Sequence, residues 1–143
     1  MSKFVVWHAD FSVGNVSLDE QHKGLFELVN EVWNSRKDCD KKKRQLFKKV
    51  LDARRKHCED EERILARNGY PGLEEHRHEH RKLVKQIQKV LDSCDHDAKK
   101  SWYDMMTFLM HELLSRHLVG ADMACRDYLR SLPPAAHAIV KVP

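Results

Sequence analysis

Two short stretches decide the fold of this chain: His57-Cys-Glu-Asp-Glu61 and His76-Arg-His-Glu-His80. Each holds a pair of ligand-competent residues spaced i, i+4: His57 with Glu61, and His76 with His80. On a helix such a pair shares one face, with Cβ atoms about 5–6 Å apart. Between the pairs lies Asn68-Gly-Tyr-Pro-Gly72, which reads as a helix stop, a tight turn and a restart. The two helices are therefore predicted to run antiparallel and to bring their pairs face to face. Facing pairs inside a helical bundle make a metal-site geometry.

The 143 residues suffice for one domain with a sizeable core. Five Gly, four Pro and almost no β-branched alternation favour an all-α chain. Formal net charge is +4, with Lys and Arg concentrated between Lys41 and Lys56. Apolar residues recur through that run at helical spacing, so it reads as the solvated face of a helix, and no nucleic-acid partner is expected. Cys39, Cys58, Cys94 and Cys125 form no CxxC pair, and Met1–Phe11 lacks the layout of a signal peptide. Reduced thiols in a cytoplasmic protein are expected. No apolar run is long enough to span a bilayer. The ten histidines are the most informative feature of the composition.

Working outward, residues 1–16 read as an extended arm whose Phe4, Trp7 and Phe11 cover one end of the core. Ser17 is the expected cap of the first helix, with Glu20 completing a capping box. That helix runs to about Arg36, with His22 one turn ahead of the stripe Leu25/Phe26, Val29 and Val32/Trp33. The second helix starts near Cys39–Lys42 and ends before Gly69, with Val50, Ala53, His57 and Glu61 on its inward stripe. The third spans about Gly72 to Cys94. The fourth runs from about Ala98 to Leu118, with His117 inward, and is disturbed at Gly120, before Asp122. A short helix or turn over Asp122–Leu132 ends at Pro133-Pro134. The prediction is an antiparallel up-down-up-down four-helix bundle over about 17–132, with an N-terminal arm and a tail at 133–143, all one domain of 1–143.

Four helices thus place polar groups in otherwise apolar stripes: His22, His57, Glu61, His76, His80, His117 and, just past the last helix, Asp122. One such residue would read as a hydrogen-bonded core histidine. For seven, no set of protein partners suffices. Two octahedral metals need twelve positions. Five imidazoles, two bridging carboxylates and one bridging hydroxide or oxide fill all but one, leaving a place for a small molecule. Imidazole with a minority of carboxylate suits iron better than zinc, magnesium or calcium. Two ferrous ions with two carboxylates and a hydroxide leave the site near +1. So few anionic ligands favour reversible O2 binding over oxidation of a substrate.

Leu18-Asp-Glu-Gln-His-Lys-Gly-Leu-Phe26, His57-x3-Glu61, His76-x3-His80 and His117-x4-Asp122 resemble, in order, the four motifs of a bacterial hemerythrin, over roughly Trp7 to Leu132. The resemblance implies two non-haem irons, one held by His76, His80 and His117, the other by His22 and His57 and left open. It implies that Glu61, Asp122 and an oxo or hydroxo group bridge them, and that Leu114 lies over the O2 pocket. Leu113 and Cys125 stand where the family often has Trp and Tyr, which bears on pocket packing and autoxidation. His78 lies about 200° around its helix from His76, His111 points away from His117, and His8, His96 and His137 fall in arms or loops; none of these is expected to be a ligand.

The leading reading is a binding protein, not an enzyme, that carries, stores or delivers O2 as a monomer, with an O2-consuming enzyme as recipient. A sensor acting through a separate partner is the second reading. Peroxide or nitric oxide chemistry is the third, with no acid–base group beyond the ligands to support it. Iron storage would call for a carboxylate-lined path, which the sequence lacks.

Overall fold

The computed structural model describes residues 3–94, 96–111 and 125–133. Among them the chain forms α1 (Val16–Asn34), α2 (Asp40–Arg67), α3 (Leu73–Ser93), α4 (Ala98–Phe108) and a short α5 (Arg126–Ser131). A 3-10 turn, Ala9–Phe11, precedes α1, and there is no strand among the described residues. α1 packs on α2, α2 on α3, α3 on α4, and α4 closes back on α1. This is the all-α, antiparallel four-helix bundle expected from the sequence, with a short C-terminal helix. No helix among the described residues is long and apolar enough to cross a membrane.

The inward stripes form two apolar clusters. Val32, Phe47, Leu91 and Trp102 belong to the larger, toward the start of α2 and α4. Leu18, Ile64, Leu65 and Leu129 belong to the smaller, toward the α2–α3 turn. Burying each such side chain contributes about 1.5–3 kcal/mol. The histidines and Glu61 lie between the two clusters along the chain, so the polar layer is sealed at both ends by apolar packing.

Local chemistry fixes the turns. The Tyr70 N–H donates to Leu65 O at 3.0 Å and the Gly69 N–H to Ala66 O at 3.2 Å. Gly69 has φ +69°. This is a Schellman stop, and Tyr70 and Leu65 pack in the same cluster, as that motif favours. Asp97 caps α4 by accepting from the Lys100 N–H at 3.0 Å. The backbone of 109–111 continues in π-helical form; the expected extension to Leu118 lies outside the described residues.

Two expectations need correction. The cap of α1 is Asn15, whose side chain accepts from the Leu18 N–H at 2.9 Å, not Ser17. Asp19 holds the approach by accepting from Ser12 Oγ and the Val13 N–H at 2.6 and 2.9 Å, so the helix starts earlier. The arm does not sit on one end of the core; it runs along α1. Asn30 Oδ1 accepts from the Phe4 and Val5 N–H groups at 2.7 and 2.8 Å, Phe4 stacks on Trp33, and Trp7 and Phe11 meet Phe26. Asn30 is a buried amide whose pairing with an extended strand of backbone fixes this course.

Two glycines should respond oppositely to alanine. At Gly69 the left-handed backbone strains any Cβ, so Gly69→Ala should destabilise the metal-free protein by roughly 1–2 kcal/mol. Gly24 lies inside α1 with open space around it, so Gly24→Ala should stabilise by about 0.5–1 kcal/mol. Urea denaturation of both variants reads the signs; equal shifts would show the turn not to be held as described.

Candidate metal centre

The site is built from three helices of the described region. α1 supplies His22, α2 supplies His57 and Glu61, and α3 supplies His76 and His80. The four imidazoles and the carboxylate are between 0 and 5% exposed. The i, i+4 spacing stacks each pair on one face. His76 and His80 ring centroids are 4.2 Å apart, and the His57 ring meets the His22 ring across the α1–α2 interface at 4.3 Å.

Glu61 lies between the two halves. Its Oε2 is 3.4 Å from His57 Nε2. Its Oε1 contacts His76 Nε2 and lies 3.2 Å from His80 Nε2. His22 Nε2 is 3.0 Å from His57 Nε2. Two metal-competent groups result, His22–His57–Glu61 and Glu61–His76–His80, each with its ligand atoms within 4.8 Å of one another. They share the one carboxylate.

The residues fit a metal pair. His22 and His57 meet through Nε2, and two neutral imidazoles so arranged can share only one proton. A cation between them would use both lone pairs. Burial alone would lower the His80 pKa, but contacts with Cys58, Glu61 and Glu62 outweigh it and push it up to about 12. The site therefore favours positive charge beside Glu61.

A second ring of contacts orients the ligands. The His57 Nδ1–H donates to Gln21 Oε1 at 2.9 Å, which leaves Nε2 to face the cluster. Gln21 Nε2 donates in turn to buried Asp60 at 2.7 Å, and Asp60 pairs with Lys56 and Arg63 at the surface. His80 Nδ1 lies 3.4 Å from Glu62 Oε2. Trp7 lies over His22 at 6.2 Å and 24°. Such outer partners fix ring orientation at metal sites.

Of the seven expected ligands the structure brings together His22, His57, Glu61, His76 and His80. His117 and Asp122, with Leu113, Leu114 and Gly120, lie outside the described residues, as does His137. His8, His78, His96 and His111 are exposed, away from the cluster. Sequence reasoning missed Gln21, Asp60, Cys58 and Arg54. Ala53 packs, partly buried, against the larger apolar cluster as its place on the inward stripe implied, but Arg54, one residue on, is fully buried as well. Its position three residues before His57 was the available signal.

The sequence profile described as the Hemerythrin HHE cation binding domain matches residues 13–123. The chain belongs to this hemerythrin family. A bacteriohemerythrin of Campylobacter jejuni is 32% identical over 121 residues, which are 82% of this chain and 89% of that one. A myohemerythrin of Riftia pachyptila is 31% identical over 127 residues, 87% and 92% of the two chains. A hemerythrin-like protein of Naegleria gruberi is 28% identical over 125 residues, covering 86% and 92%. A crystal structure of a leucine-to-phenylalanine mutant, 18% identical, superposes with a TM-score of 0.74 over 91% of this chain and all of that one, which shows a shared fold. A cation-binding family and a buried His/Glu cluster agree with each other.

The His80 proton sets a pH dependence. Its folded pKa lies above the ordinary value of 6.5. In the metal-free protein the protonated pairing is fully present below that value and is lost as pH rises toward 12. A metal ion must displace this proton. Ferrous iron should therefore bind the metal-free protein about tenfold more tightly per pH unit between pH 7 and 8. Anaerobic titrations at the two pH values check this; a pH-independent affinity would contradict it.

Proposed function

We propose that this hemerythrin-family chain binds O2 reversibly at a pair of non-haem irons and serves to store, carry or deliver it, without catalysing a reaction. The observation that supports this best is the fully buried Glu61 carboxylate set between two histidine pairs. His76 and His80, with His117, would hold one iron. His22 and His57 would hold the other and leave it a position for ligand. Glu61 and Asp122 would bridge, with an oxo or hydroxo group. Two ferrous ions would supply the electrons that reversible O2 binding requires.

The chain's own residues do the rest. Gln21 holds the His57 ring so that Nε2 faces inward. Glu62 stands behind His80. The apolar clusters flank the layer, and its described residues are almost fully buried, which strengthens the charge interactions among them. We place Leu114 over the open position as an apolar cover. The chain is read as a single domain over 1–143, a cytoplasmic monomer, with an O2-consuming enzyme as recipient.

Protein made in iron-replete cells should contain two irons per chain. It should be nearly colourless when reduced, coloured under O2, and colourless again when O2 is removed. Metal analysis with visible spectra over one deoxygenation cycle tests this. One metal per chain, zinc, or colour that never reverses would overturn it.

Variants separate ligands from neighbours. His80→Ala should lose iron, whereas His78→Ala should keep both iron and O2 binding, since His78 is exposed. Leu114→Ala should keep iron but lose its coloured O2 form faster than the parent. Loss of iron in His78→Ala but not in His80→Ala would reverse the assignment of the third helix.

A further inference from the structure

Arg54 is the largest fully buried side chain among the described residues. It lies on α2 one turn before His57, on the side that carries Cys58. Its Nη2 lies 3.9 Å from Cys58 Sγ. Neither Nε nor Nη1 has a hydrogen-bond partner among the described residues, and no carboxylate there pairs with it. A guanidinium keeps its charge at any working pH. A buried charge without a partner is unfavourable, and an apolar side chain of similar volume would suit the same packing better.

The place of that charge is informative. Cys58 and His80 form the buried wall of a cleft of about 300 Å³ between α2 and α3. Arg55, Arg81 and Lys85 line the cleft against Glu59 and Glu62, a net positive lining. Arg54 stands beside Cys58 and one turn before His57, so the ligand layer has this cationic cleft on its His80 side and the guanidinium on the same helix as His57. Five donors in a planar fork suit an anion.

We propose that Arg54 is a specificity-determining residue that biases the metal centre toward small monovalent anions, a class that includes azide, nitrite and hydroperoxide, over neutral ligands of similar size. The inference rests on the di-iron reading above. Arg54 acts through its uncompensated charge in a low-dielectric layer, where attraction to an anion is weakly screened.

The test uses the full iron-loaded, oxidised chain titrated with azide and followed by visible absorption, for the parent and Arg54→Met. Arg54→Met should raise the azide Kd at least fivefold at unchanged iron content. Nitric oxide binding to the reduced protein should change less than fivefold. The metal-free variant should melt at or above the temperature of the metal-free parent. An azide Kd raised less than fivefold, an equal loss for nitric oxide, or a lower melting temperature overturns the proposal. If Arg54→Met does not fold, Arg54→Gln is read by the same limits, and failure of both to fold marks the arginine as structural and also overturns it. A parent that binds no iron defeats the di-iron reading; a parent that binds iron and azide no better than Arg54→Met defeats only the role of Arg54. The melting comparison needs no metal and reads Arg54 in either case.

Discussion

Glu61 is a carboxylate with no exposure to solvent in the middle of a helical bundle. A buried anion costs several kcal/mol unless charge and hydrogen bonds compensate it. Four imidazoles from three helices converge on or beside this carboxylate, and contacts with Cys58, Glu61 and Glu62 outweigh burial to raise the pKa of one of them, His80. The geometry of the chain follows from that requirement. The ligand pairs must be i, i+4 to share a face. α2 and α3 must be antiparallel for the pairs to meet, and Gly69 must take up a left-handed backbone for α3 to turn back at once. The apolar clusters at either end supply the packing that lets a polar layer persist between them.

The layer is supported from outside as much as from within. Gln21, the residue before His22, reaches over to orient His57 on the neighbouring helix, so one sequence motif on α1 serves two ligands. Asp60, buried beside Glu61 on the same helix, carries that contact on to surface cations. The order runs from solvated lysine and arginine, through carboxylate and amide, to imidazole. It fixes which nitrogen of His57 faces the centre. Arg54 breaks the pattern: it brings a charge into the interior with no counter-charge beside it among the described residues.

Much of this was legible in the sequence because two periodicities coincide. Apolar residues at 3.6-residue spacing give the inward stripe of each helix, and the histidines fall on the same stripe. The Asn68–Gly72 turn could be read because Gly after a helix and Pro after the turn have specific backbone meanings. The course of the N-terminal arm was not legible, since it depends on one amide, Asn30, pairing with backbone some twenty-five residues away. Nor was the cap at Asn15 legible: Asn15 and Ser17 are both good caps, and Asp19 decides between them through contacts with residues ahead of the helix. Arg54 escaped notice because a charged residue beside Ala53 is ordinarily assigned to the solvent side. Only its burial reverses that reading.

The proposal that two irons share Glu61 is tested most directly by X-ray absorption at the iron edge of the loaded protein. A carboxylate-bridged pair predicts an iron–iron scattering shell at no more than about 3.5–4 Å. Glu61→Ala should lower the iron content and, with it, the amplitude of that shell. A parent spectrum fitted by nitrogen and oxygen neighbours alone, with no iron–iron shell, would contradict the shared carboxylate, and with it the reading of the bundle as a two-iron site.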